Sequence, residues 1–257
     1  MTPTIYKPTE TDFTHNGLGF LRDCTRCEVL EEANGKFELE LDYPLKSRFM
    51  DYFENGYQIK AKPNDVDDYH IFVIKQAYKD TISNIITVYA QSRTYKLGNR
   101  QVQYVEVDSQ NAMSAMTAIE NGMDQPSDIK LFSDIQTASS TTFEARNVLN
   151  CIAGEQGSLL QYWGGEIKRE PFKLSLLRRR GRDDVGIVRY GKDLNGLKIK
   201  FNWDMITRCL PYADLQGSED GTTHRIYGKA VDSELMDNYP DVYAQYVQLP
   251  RNRVLKI

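Results

Sequence analysis

The sequence predicts an α+β protein that is predominantly β, on three observations. Apolar and polar residues alternate along short segments of the first hundred residues, two stretches of the middle third change to a helical period, and turn-forming residues punctuate both. The 257 residues are enough for one large domain or two smaller ones with a real core.

The elements follow in order. Arg26 to Glu32 leads into Asn34-Gly35, a dipeptide that accepts positive φ at both turn positions and so predicts a tight hairpin. The returning strand alternates Phe37, Leu39, Leu41 and Tyr43 with Glu38, Glu40 and Asp42, one face buried and one wet, and Pro44 ends it. Tyr57 to Lys62, Tyr69 to Ala77 and Ile85 to Gln91 continue a run of strands spaced as in a barrel or sandwich.

From about Val102 the period changes. Ala112, Ala115, Met116 and Ile119 fall at i, i+3, i+4 and i+7, an amphipathic helix that Gly122 is placed to end. Thr141 and Glu144 stand at capping-box spacing, which predicts a second helix from about Thr142 to Ile152 that buries Ala145, Val148, Leu149 and Ile152 and stops at Gly154. A short strand at Leu131-Phe132 lies between the helices. Strands resume at Leu159 to Trp163, Glu166 to Arg169 and Phe172 to Leu177, with a turn at Trp163-Gly164-Gly165.

Composition narrows the function classes. With 40% hydrophobic and 26% charged residues the chain reads as globular. A net charge of −4 provides no general attraction to phosphate backbones or anionic membranes. Neither a secretion signal nor an apolar run of membrane-spanning length is present, so no membrane insertion by this chain is expected.

The search for chemistry yields no catalytic, cofactor-binding or metal residue. His15, His70 and His224 are the only histidines and show no metal spacing. Cys24 and Cys27 form a C-x-x-C, but a zinc site needs two further ligands and only the distant Cys151 and Cys209 remain. The cysteines read as small buried hydrophobes. Asn64 to Asp68 lacks the glycine and distal glutamate of a calcium loop. The Arg178-Arg179-Arg180-Gly181-Arg182 cluster is either a patch for phosphate or an acidic partner, or a solvated turn. Asp183 and Asp184 follow at once and no aromatics interleave, which favours the turn.

Longer strings carry a resemblance. Cys27-Glu28-Val29 through Asn34-Gly35-Lys36-Phe37-Glu38-Leu39 to Tyr43-Pro44 resembles the opening of the phage minor structural protein family, the N-terminal region of prophage tail endopeptidase proteins. Phe132-Ser133-Asp134-Ile135, Gly154-Glu155 through Leu160, Trp163-Gly164-Gly165-Glu166, Tyr190-Gly191-Lys192-Asp193-Leu194 and Thr207-Arg208 to Pro211-Tyr212 follow in the same order. The resemblance implies tail-tube-like β-barrel domains with an inserted α+β domain, as in a phage baseplate hub of tail-associated lysin type. It implies a homotrimer that closes the tail tube at the virion tail tip, assembled in the host cytoplasm. The implied partners are distal tail or tail-tube proteins, the tape-measure protein, and DNA only in transient passage. Lytic activity in such proteins belongs to C-terminal domains, and a chain ending at Ile257 is expected to be a truncated piece or a shorter variant.

Combining both readings, residues 1–98 and 188–218 form a tube-like barrel, 99–187 an inserted α+β domain, and 219–257 part of a second barrel, with a boundary at Gln216 to Gly221. Two other classes stay open. A cell-wall hydrolase or endopeptidase needs a nucleophile with a base, or a metal with a water. A host-receptor- or carbohydrate-binding tail module could draw stacking surfaces from the 16 tyrosines.

Overall fold

The computed structural model describes residues 2–154, 156–181, 186–194, 196–200, 205–216, 223–239 and 241–249. The chain divides into two units, Met1–Asp183 and Asp184–Ile257.

The first unit opens with an antiparallel sheet made from β1 (Thr4–Tyr6), β2 (Gly19–Phe20), β3 (Arg26–Glu31), β4 (Phe37–Pro44), β5 (Gln58–Ala61), β6 (His70–Asp80) and β7 (Ile85–Ser92). Its strand order is β2-β1-β5-β6-β7-β4-β3, and it curls into a half-barrel. The alternation predicted for β4 is the one observed. Phe37, Leu39, Leu41 and Tyr43 are buried against Ile59, Phe72, Ile74, Ile86 and Val88, while Glu38, Glu40 and Asp42 face outward. At Asn34-Gly35 the chain reverses more widely than a two-residue turn. Only Asn34 has positive φ, at 57°, and Glu32 N–H donates to Lys36 O at 2.8 Å, closing a longer loop.

A 3₁₀ segment, Arg93–Asn99, leads to β8 (Gln101–Gln110), α1 (Ala112–Asn121), β9 (Lys130–Ser133), β10 (Ser139–Asn147), α2 (Val148–Ile152), α3 (Leu159–Trp163), β11 (Glu166–Glu170) and β12 (Lys173–Leu177). β8 pairs with β10, and β11, β12 and β9 form a second small sheet in which β12 and β9 run parallel. The helices and both sheets share one core that includes Val102, Val107, Met116, Ile119, Phe143, Val148, Leu159, Leu174 and Leu176. α1 forms as its period predicts, with Asn111 Oδ1 accepting from Ser114 N–H at 2.9 Å. Gly122 is its C-cap, and the position takes glycine for a steric reason: its φ is −89°, and a Cβ there would lie 2.6 Å from Val105 Cγ2.

Three further expectations for the first unit are corrected. The helix placed from Thr142 begins only at Val148, capped by Asn147. Residues 139–147 form β10, in which Thr141 and Phe143 are buried while Thr142, Glu144 and Ala145 are exposed. Pairing with β8, itself unpredicted, overrides the capping-box pattern, because β-branched and aromatic residues suit a half-buried pleat. Leu159–Trp163 is helix α3 rather than a strand, and its period-four pair Leu159 and Trp163 is buried; a short apolar run does not by itself separate the two states. Cys27 is exposed, since β3 is the edge strand of its sheet, and of the four cysteines only Cys151 is buried.

In the second unit β13 (Arg208–Gln216) pairs antiparallel with β14 (Thr223–Tyr227) and β15 (Val231–Asp232), and parallel with β16 (Ala244–Gln248). β13, expected to return to the first barrel, takes these strands as its partners among the described residues. The expected boundary at residues 216–221 lies outside the described residues except for Gln216, and so does Arg182.

Candidate functional site

The two cores of the first unit meet across a junction where Gln58, His70, Ser92, Arg93 and Thr94 are buried polar side chains. Ser92 ends β7 and caps the following 3₁₀ segment, its hydroxyl accepting from Thr94 N–H at 3.3 Å. His70 Nε2 lies 2.8 Å from the same hydroxyl, and Arg169 Nη1 donates to Thr94 Oγ1 at 3.1 Å. Phe37 and Phe72 flank the imidazole, with ring centroids at 4.6 and 5.0 Å. Burial, with the Arg169 charge as the smaller cause, pushes the His70 pKa down to about 3. A histidine beside a serine has the outline of a nucleophile with its base. Here both side chains are buried and Ser92 is engaged by the backbone it caps, so the pair satisfies polar groups in the interior. Beside it opens a cleft of about 590 Å³ lined by Asp67, Asp68, Lys130, Arg169 and Glu170.

Arg93 crosses the same junction. Its guanidinium lies 4.6 Å from the Phe172 ring centroid, Nε donates to Gln58 Oε1 at 3.3 Å, and Nη2 pairs with Asp128. Arg93 is 1% exposed, and its Nη1 is buried without a hydrogen-bond partner.

The arginine cluster is put to structural use. Arg180 Nη2 pairs with Glu31 at 2.6 Å, Nη1 donates to Ile167 O at 3.2 Å, and its backbone N–H donates to Glu166 at 2.8 Å. Arg178 N–H donates to Asp134 Oδ1 at 2.6 Å. This favours the turn reading over a free phosphate patch.

His15 and His70 have separate partners in the first unit, and His224 lies on β14 in the second. His15 pairs with Glu10 and accepts from Gly17 N–H, whereas His70 is interior. Among the described residues no group of three His, Cys, Asp or Glu side chains could hold a metal, and no helix is long and apolar enough to cross a membrane.

One surface the sequence did not reveal lies in the second unit. Tyr212, Tyr227 and Tyr246 converge from three strands, with ring centroids 6.0 to 6.5 Å apart. Tyr227 and Tyr246 are 62% and 60% exposed. Arg225 lies 4.5 Å from the centroid of Tyr212 and makes two hydrogen bonds to Asp214, which also accepts from Gln248. The nearest signal in the sequence was the number of tyrosines, since the three are far apart along the chain.

No protein-family model matches the chain, and no curated protein does. Solved structures do. The prophage tail protein gp18 from Listeria monocytogenes EGD-e aligns with 96% of this chain and 72% of its own, at TM-score 0.60 and 16% identity. The 43 kDa tail protein of prophage MuSo2 from Shewanella oneidensis aligns with 98% and 74%, at TM-score 0.57 and 14% identity. A tail protein from Neisseria meningitidis MC58 aligns with 96% and 71%, at TM-score 0.54 and 8% identity. At these identities the likeness establishes the fold: this chain is built as those tail proteins are, predominantly β with α+β elements.

Proposed function

We propose that this chain is a structural subunit of a bacteriophage or prophage tail tip, a trimeric baseplate hub that closes the tail tube and passes the tape-measure protein and then DNA. The likeness to three tail proteins over 96% to 98% of the chain carries the reading. It is supported by the open edges of the curled sheet at β2 and β3, through which sheets of neighbouring copies can join. In this reading residues 1–98 form the tube-like barrel, 99–187 the insert, and β13 with β14 to β16 part of a second barrel. The subunit assembles in the host cytoplasm, contacts distal tail or tail-tube proteins, and has no catalytic role of its own.

Light scattering on a sizing column tests assembly, with three times the chain mass expected and a strict monomer at every concentration counting against the trimer. Zymography on bacterial cell walls tests inertness. Cleared zones would move the reading to a cell-wall hydrolase.

A receptor-binding tail module is a second reading, favoured by the exposed Tyr212–Tyr227–Tyr246 face, where ring faces beside a carboxylate, a guanidinium and an amide suit a sugar ring. Binding to a panel of cell-wall glycans, lost in Tyr227→Ala, would support it.

A further inference from the structure

We propose that Cys24 and Cys27 are a modification site, a thiol pair that small-molecule disulfides convert to an intrachain disulfide. Two independent features of the fold place the sulfurs together. Cys27 lies directly opposite Leu41 in the β3–β4 ladder, and directly opposed residues share a sheet face. Leu41 is buried in the core of that sheet, and Cys24 packs partly against the same core. Both side chains therefore occupy one face at the open edge of the sheet.

The chain bends at Thr25, whose N–H donates to Asp42 O at 3.0 Å, and this turns Cys24 back along the first residues of β3. The Cys24 thiol reaches forward to the Arg26 carbonyl at 2.9 Å, and the two cysteine side chains interact with each other. Both cysteines are free, Cys24 half-buried and Cys27 exposed. Among the described residues no third His, Cys, Asp or Glu joins the two sulfurs in a group that could hold a metal.

Their interaction holds the Cys24 thiol below its usual pKa and raises that of Cys27, which makes Cys24 the attacking sulfur. Its thiolate attacks a small-molecule disulfide such as oxidised glutathione, forming a mixed disulfide and releasing one glutathione thiolate. Cys27 then loses its proton and attacks Cys24 Sγ, releasing the second. Two protein thiols and one glutathione disulfide become one protein disulfide and two glutathione thiols.

The full chain is incubated with oxidised glutathione and alkylated without reduction. The expected product is about 2 Da lighter than the starting protein, with Cys151 and Cys209 still open to alkylation after unfolding. Trypsin cuts after Arg26, between the two cysteines, so the disulfide appears as peptides 23–26 and 27–36 joined until reductant is added. Cys24→Ser and Cys27→Ser each remove the joined species, and Cys27→Ser keeps a glutathione adduct at Cys24. A wild-type protein that retains the adduct without closing, or whose Cys24 and Cys27 both stay alkylatable, overturns the proposal.

Discussion

The side-chain amide of Asn34 bridges to the β11 region: its Oδ1 accepts from Ile167 N–H at 2.7 Å while its Nδ2 donates to Gly165 O at 3.1 Å. A turn residue of the half-barrel thus serves as a hydrogen-bonding partner for β11, at the edge of the second core. Asn34→Gly keeps the positive φ and loses both bonds, whereas Asn34→Ala also strains the turn. Each variant should lose about 1–2 kcal/mol, with Ala the lower, in urea unfolding. Equal, negligible losses would mean that the bridge adds nothing.

Arg93 and Asp128 should respond unequally. Asp128 is half-exposed and rehydrates when its partner is gone, but a buried Arg93 without Asp128 is an uncompensated cation. Asp128→Ala is expected to cost about 3 kcal/mol and Arg93→Met clearly less, by chemical denaturation. The reverse order would show that stacking on Phe172 outweighs the ion pair.

His70 gives the stability an acid-side slope. The unfolded chain takes up a proton at this position near pH 6.5, while the folded chain does so only at about pH 3. Between those values the unfolded state binds more protons, so this contribution is complete above pH 6.5 and is lost as pH falls toward 3. The slope from this group approaches about 1.4 kcal/mol per pH unit. His70→Gln should remove it, and wild-type and variant stability curves that stay parallel from pH 7.5 to 5 would count against the assignment.

Adjacent glycines should differ. Gly165 has φ +102°, and a Cβ there would sit 2.6 Å from Leu177 O; Gly164, at φ +69°, faces open space. Gly165→Ala carries both the left-handed strain and the clash and is expected to lose at least about 2 kcal/mol, whereas Gly164→Ala, strained at φ +69° and ψ −159° but without a clash, should lose less than Gly165→Ala, in thermal melts.

Duplex DNA should not bind at physiological salt, given the net charge of −4 and an Arg180 already paired with Glu31. Replacing Arg178, Arg179 and Arg180 with serine should instead lower the melting temperature. Salt-sensitive binding by the wild type, abolished in this variant, would restore the cluster as a phosphate site.

The half-barrel was legible because β4 and its neighbours bury one face, and a period of two is written directly into Phe37 to Tyr43. α1 was legible for the same reason at its own period. β10 was not, because its strand state depends on β8 some forty residues earlier, and the capping-box residues Thr141 and Glu144 imitate a helix start. Of the candidate surfaces the sequence exposed only the arginine run. Tyr212, Tyr227 and Tyr246 meet through strand pairing, and the exposure of Cys27 follows from β3 being an edge, neither of which local sequence encodes.

The first unit holds two separate apolar cores joined by a small patch around Phe13 and Phe172 and by the amide and ionic ties of Asn34, Arg93 and Arg180. Water and dissolved ions act oppositely on these parts. Salt screens the Arg180–Glu31 pair only in part, since its side chains are 28% and 25% exposed, whereas strongly hydrated anions tighten apolar burial. The seam and the two cores it joins therefore answer to different properties of the solvent.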